Sequence, residues 1–234
     1  MRVAVIVAAV LQAVVFDLDG VLLDSEQLWD AARRSVVAHH GGQWREGATG
    51  AMQGMSSPEW ARYMHEHLGL PIKESEIVDL VVAELLARYE QDLPLLPGAL
   101  GAVRRLGARW PLALASSSNR VVIEKVLDLS GLRGSFEVTV SSEEVPNGKP
   151  SPDVYRAALK ALRVLPRESV AVEDSTSGIR AALSAGMHLV AVPNPHFPPP
   201  GEWLAPADLV ISSLDELTVD ALTAIADPTS TRGC

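Results

Sequence analysis

The first residues able to do chemistry are Asp17 and Asp19, two carboxylates one residue apart in FDLDG, directly after an apolar run. An aspartate can attack phosphorus and so split a hydrolysis into formation and breakdown of an aspartyl phosphate. A second carboxylate two residues on can protonate the leaving alcohol and then deprotonate the attacking water. Taken alone, the pair reads equally well as a turn with a helix cap. Glu173 and Asp174, in VAVEDSTSG, repeat the pattern of an apolar run, acids and a Ser/Thr/Gly turn. Two acidic ends in one crevice repel each other unless a cation lies between them, and hard oxygen ligands select magnesium over softer metals.

Two more groups complete the set. Lys149, in NGKPSPD, is one of only four lysines in the chain. Beside an acidic cluster it is either a structural charge partner or the group that neutralises both a nucleophilic carboxylate and a transferring phosphoryl group. Ser116, in LASSSN, ends another apolar run just before a helical pattern. A hydroxyl and free amides at a helix start suit a phosphate oxygen, although an ordinary cap has the same residues.

These groups need elements that bring them to one edge. The runs Leu11 to Phe16, Pro111 to Ser116, Glu137 to Val140, Ser169 to Glu173 and His188 to Val192 read as strands buried on both faces, and Asp208 to Ile211 as a weaker one. Helical patterns over Arg120 to Leu129, Pro152 to Leu162, Ser177 to Ala185 and Asp215 to Ile225 alternate with them. The alternation predicts an α/β fold, a doubly wound parallel sheet with right-handed crossovers. In such a sheet the carboxyl ends of the strands form the binding crevice. Between Asp24 and Pro94 the strand signal disappears and only helical texture remains, too long for a loop. The expected division is a discontinuous core, residues 1–24 and 95–234, with an all-helical insertion over 25–94. Its hinges fall near Asp24 to Glu26 and near Leu93 to Gly98. Asn194 to Trp203, rich in proline, reads as an irregular surface loop.

A net charge of -9 argues against nucleic acid or an anionic membrane as partner. The single cysteine, Cys234, excludes an intramolecular disulfide and fits a reducing compartment; cytoplasm is the expected location. The start, MRVAVIVAAV, has the basic-then-apolar look of a secretory leader, but its removal would destroy the first strand, so an upstream start is the expected explanation. A monomer or weak homodimer acting on small molecules is the expected state.

In order, VVFDLDGVLLDSE, LALASSSN, GKPSPDVY and VAVEDSTSGIRAALSAGM resemble the four motifs of the haloacid dehalogenase superfamily. The resemblance implies Asp17 as nucleophile and Asp19 as general acid and base. It implies Ser116 and Lys149 as phosphate holders, with Leu18 and Ser117 in the same phosphate loop positions. Magnesium is implied on Asp17, the Asp19 carbonyl and the Glu173–Asp174 end. The helical insertion resembles the cap of β-phosphoglucomutase, phosphoglycolate phosphatase and sugar-phosphate phosphatases. DSEQLW and LPLLPG look most like hexose-phosphate phosphatases acting on 2-deoxyglucose 6-phosphate. Trp29 and Ser57 fall where the mutase has a cap histidine and a cap arginine, so hydrolysis is the implied reaction, with a mutase second if Arg45 or Arg62 supplies the charge. Glu26, Gln53, Gly54, Ser57 and Asn119 are the implied substrate contacts of the cap side.

Overall fold

The computed structural model describes residues 10–52, 55–194 and 198–226. Six strands, β1 (Ala13–Phe16), β2 (Leu112–Ser116), β3 (Val138–Ser141), β4 (Ser169–Glu173), β5 (His188–Ala191) and β6 (Leu209–Val210), form one parallel sheet in the order β3-β2-β1-β4-β5-β6. The first motif therefore ends the central strand. Leaving β1, the chain first winds to one side through β2 and β3, then crosses to β4 on the other. That reversal puts the switch point between β1 and β4, where an open α/β sheet leaves a crevice.

The strand residues alternate between two apolar layers, as a period of two requires. Val14 and Phe16 of β1, with Leu112 and Leu114 of β2, face one layer. Packed there are α5 (Ala99–Gly107) and α6 (Arg120–Leu129), through Val103, Leu106, Ile123 and Val126. Val15, Ala113, Ala115 and Ala171 face the other. Their small size lets α7 (Asp153–Leu162) and α8 (Thr176–Ala185) lie close on that face, through Tyr155, Ala158, Ile179 and Ala182. The parallel α/β fold expected from the strand and helix runs is the one observed.

Between β1 and α5 lie four helices: α1 (Glu26–His39), α2 (Ala48–Met52), α3 (Ser57–His67) and α4 (Glu74–Gln91). Each buries an apolar stripe at helical spacing, for example Ile77, Val81, Leu85 and Tyr89 on α4. The two chain crossings into this helical unit pair with each other: Asp24 donates its amide to Pro94 O at 2.8 Å and Leu96 to Leu22 O at 2.9 Å.

Several sequence expectations shift. Helix α5 was not foreseen. The expected loop Asn194 to Trp203 carries a short helix, α9 (Gly201–Leu204), over its last described residues. The last helical pattern, Asp215 to Ile225, divides into a 3-10 turn at Leu214–Glu216 and α10 (Val219–Ala226). Strands 1, 2, 3, 5 and 6 are trimmed or moved by one or two residues, because ladder bonding rather than hydrophobicity sets their ends. No helix among the described residues is long and apolar enough to cross a membrane.

Candidate active site

The strand ends bring the singled-out residues together. Asp17 follows β1, Ser116 ends β2, and Glu173 ends β4 with Asp174 next to it. All four are buried. Lys149 arrives from the loop before α7, 132 residues from Asp17 in sequence, and its ammonium donates to Asp17 Oδ1 and to Glu173 Oε1, both at 2.6 Å. Burial would weaken that ammonium, but the carboxylates of Asp17 and Glu173 outweigh it and hold Lys149 above its ordinary range.

Glu173 is saturated. Beside Lys149, Oε1 accepts from Tyr155 Oη at 2.6 Å. Oε2 accepts from the amide of Asp174 at 3.1 Å and from the amide and hydroxyl of Ser175 at 3.4 and 3.2 Å. Two glycines make room for this packing. A Cβ on Gly178 would lie 1.9 to 2.0 Å from the Glu173 carboxylate. A Cβ on Gly20, whose φ is +84°, would lie 1.9 Å from Asp174 Oδ2. These close approaches explain the glycine that follows each acidic pair.

One oxygen each from Asp17, Glu173 and Asp174 lies within 4.8 Å of the others. Burial first, then Glu173 and Asp19, raises Asp17 to about 7 despite the opposing Lys149. Burial, Glu173 and Asp17 raise Asp174 well above the carboxylate range. Like charges crowded in a dry pocket, with a single cation among them, are the electrostatic signature of a site for a further cation. The donors are hard oxygens, so a divalent ion of the magnesium class fits them. With Glu173 committed to five protein donors, Asp17 and Asp174 are the side chains left for it.

Asp19 is held differently. Its Oδ1 accepts from Ser25 Oγ at 2.5 Å and from the Trp29 indole at 3.1 Å; its Oδ2 accepts from Ser118 Oγ at 2.5 Å. Ser25 precedes α1 and Trp29 lies on it, whereas Ser118 follows β2, so Asp19 ties the helical unit to the sheet. Of the phosphate-loop residues, Ser116 Oγ accepts from the amide of Ser118 at 3.0 Å and keeps its own proton to donate. Ser117 is partly exposed at the crevice and its carbonyl accepts from Ser142. The Leu18 carbonyl closes the turn by accepting from Leu22 and Leu23.

On the helical side, Ser57 Oγ donates to Asn119 Oδ1 at 2.7 Å, and Asn119 Nδ2 donates to Glu143 Oε1 at 2.6 Å. These two residues therefore bond each other across the crevice. Arg120, beside them, is spent on Glu144 and Thr139. Glu143 Oε2 accepts the Arg120 amide at 2.8 Å, so a carboxylate caps α6. Glu26 faces a small cavity, about 70 Å³, which it shares with Asp19, Trp29, Arg33 and Ser118. Gln53 and Gly54 lie outside the described residues. Arg45 and Arg62 are both exposed, the latter 3.8 Å from Glu74.

Tyr155, Ser118, Ser25, Glu143 and Arg33 escaped the sequence reading. Tyr155 stands in GKPSPDVY and Ser118 in LASSSN, so adjacency to the motifs was the available signal. For Arg33 and Glu143 no local signal exists.

The profile of the haloacid dehalogenase-like hydrolases matches residues 11–186. Hexitol phosphatase B of Escherichia coli (strain K12) is 36% identical over 216 residues, covering 90% of this chain and 96% of that protein. Fructose-1-phosphate phosphatase of the same organism is 31% identical over 189 residues, covering 76% and 94%. Among solved structures, CbbY from Rhodobacter sphaeroides superposes with a TM-score of 0.82 at 29% identity, covering 91% of this chain and 99% of that one. With its four motifs converged on one crevice, this chain belongs to the haloacid dehalogenase-like hydrolases.

Proposed function

We propose that this protein is a phosphatase of sugar phosphates and related small phosphate esters, working through an aspartyl phosphate on Asp17 with a magnesium-class ion. The carrying observation is the Lys149 ammonium, 2.6 Å from both Asp17 and Glu173. It opposes protonation of the nucleophile and leaves positive charge where a phosphoryl group arrives. The similarity to hexitol and fructose-1-phosphate phosphatases supports sugar phosphates as substrates.

Asp17 attacks phosphorus while the bond to the ester oxygen breaks, and Asp19 gives that oxygen its proton. Asp19, now a carboxylate, takes a proton from water, which attacks the aspartyl phosphate, releases phosphate and regenerates Asp17. Ser25, Trp29 and Ser118 aim Asp19 for both transfers. Ser116 and Lys149 hold the phosphoryl oxygens. Asp17, Asp174 and the Asp19 carbonyl would hold the ion, which when bound neutralises charge on the phosphoryl oxygens. Glu173 acts through Lys149, fixed in turn by Tyr155.

Residues 25–94 form, in this reading, a cap that opens and closes on the core over 1–24 and 95–234. A cavity of about 70 Å³ is far below the ~300 Å³ or more of a typical small-molecule site and does not admit a sugar. Substrate entry thus requires the Ser57–Asn119 and Asp19–Trp29 contacts to part. Exposed Arg45 and Arg62 do not line the cavity, so neither supplies the charge that a mutase needs for a second phosphate. The test is phosphate release from a panel of sugar phosphates with and without magnesium. Release by the wild type and loss in Asp17→Asn is the expected result; no release from any ester, or an unaffected variant, refutes the proposal.

A further inference from the structure

Arg33 is a buried cation with an unmet need. It lies on α1, only 6% exposed, and its Nε finds no hydrogen-bond partner among the described residues. Its guanidinium is held 5.3 Å from the Trp29 ring centroid and 5.4 Å from that of Trp60. These contacts fix the position of the group but leave Nε without an acceptor. Burial lowers its proton affinity to about 10, well clear of neutrality, so the charge persists. A buried guanidinium without a hydrogen-bond partner on one of its donors is costly unless a ligand supplies the acceptors.

The cavity it lines says what that ligand is. On one side stands Asp19, the group that protonates the leaving oxygen in the reading above; on another stands Glu26. Glu26 is largely buried, and burial raises its proton affinity while Arg33 opposes the rise. The two act on each other through space without an ion pair, leaving a gap between an acceptor and a donor. A second phosphate or a carboxylate would fit Arg33 but meet the charge of Glu26. A hydroxyl can donate to Glu26 and accept from Arg33 at once, and neighbouring hydroxyls can divide those roles.

Resting on the phosphatase reading, we infer that Arg33 and Glu26 together recognise the hydroxyls of an uncharged polyol leaving group, making polyhydroxylated monophosphates the preferred substrates. Trp29 serves twice, stacking against Arg33 and donating to Asp19, which links recognition of the leaving group to alignment of its proton donor.

The test compares kcat/KM for a six-carbon polyol monophosphate with that for propyl phosphate, which offers no hydroxyls, in wild type, Arg33→Met, Arg33→Lys and Glu26→Gln. The losses on the polyol ester should exceed those on propyl phosphate by roughly 10- to 100-fold in Arg33→Met and Glu26→Gln, and by less in Arg33→Lys. Should Arg33→Met fail to fold, the near-isosteric Glu26→Gln carries the same expectation. Equal losses on both esters overturn the inference and make Arg33 a packing residue. Wild-type preference for a sugar bisphosphate or a phosphorylated acid, lost in Arg33→Met, also overturns it and assigns Arg33 to an anion. No hydrolysis of the polyol ester by a wild type that releases phosphate from other esters overturns the inference alone, whereas no release from any ester of the panel refutes the phosphatase reading beneath it.

Discussion

The crowded carboxylates of the site should make the metal-free protein lose stability as pH rises toward neutrality. Asp17 is held at about 7 in the folded chain against 3.8 unfolded. A carboxylate with a raised folded value binds more protons folded than unfolded between those two pH values. Stability therefore falls across that window and levels off above it. The gap corresponds to about 4 kcal/mol for Asp17. Asp174, raised well above the carboxylate range by burial, Glu173 and Asp17, adds to the fall. Carboxylates held below their usual range, such as Glu144 and Asp153, act only at more acid pH and do not mask the effect. Urea unfolding in EDTA between about pH 5 and pH 8 should show a decline of several kcal/mol. Saturating magnesium should reverse part of it: a ligand at about 100 times its Kd adds about 2.7 kcal/mol, or roughly 5 to 10 °C in Tm for a chain of this size. Asp174→Asn removes one of the like charges. It should be more stable than wild type at about pH 8 without metal, yet lose both the magnesium shift and hydrolysis. A flat or rising metal-free profile from about pH 5 to pH 8 would refute the electrostatic reasoning, as would an unchanged magnesium shift in Asp174→Asn.

Three further outcomes follow from the geometry. Gly178→Ala drives a Cβ into the Glu173 carboxylate and should cost about 3–5 kcal/mol in urea unfolding by breaking its buried pair with Lys149; Gly50→Ala, which meets nothing within 4 Å, should be neutral or slightly stabilising. Tyr155→Phe removes one charge-assisted hydrogen bond from Glu173 and should cost about 1.5–3 kcal/mol, read by the same method; no change would mean that Lys149 and the Asp174 and Ser175 donors suffice to orient that carboxylate. Trp29→Phe keeps the ring but not the indole donor to Asp19; kcat should drop roughly 10-fold with the fold intact by circular dichroism, and an unaltered kcat would show that Ser25 and Ser118 suffice.

The order of the strands and of most helices, the helical insertion and the four motifs were legible in the linear chain, because each rests on local patterning. A buried parallel strand must be a short apolar run, and a residue at its carboxyl end must face the crevice whatever lies elsewhere. Asp17, Glu173 and Asp174 are of this kind. Helix α5 was overlooked because ALGAVRRLG follows a proline-rich hinge and its amphipathic stripe spans barely two turns. What only the tertiary structure decided is which donor meets which acceptor. The pairing of Lys149 with Asp17 spans 132 residues, and that of Asp19 with Ser118 spans 99. No periodicity encodes such distances. The saturation of Glu173, the three donors on Asp19 and the orphaned guanidinium of Arg33 arise from the packing of α1, α7 and the loops after β2 and β3 around a dry crevice. There each burial cost has to be met by a particular neighbour, and that neighbour is chosen by the fold rather than by the residues beside it in the chain.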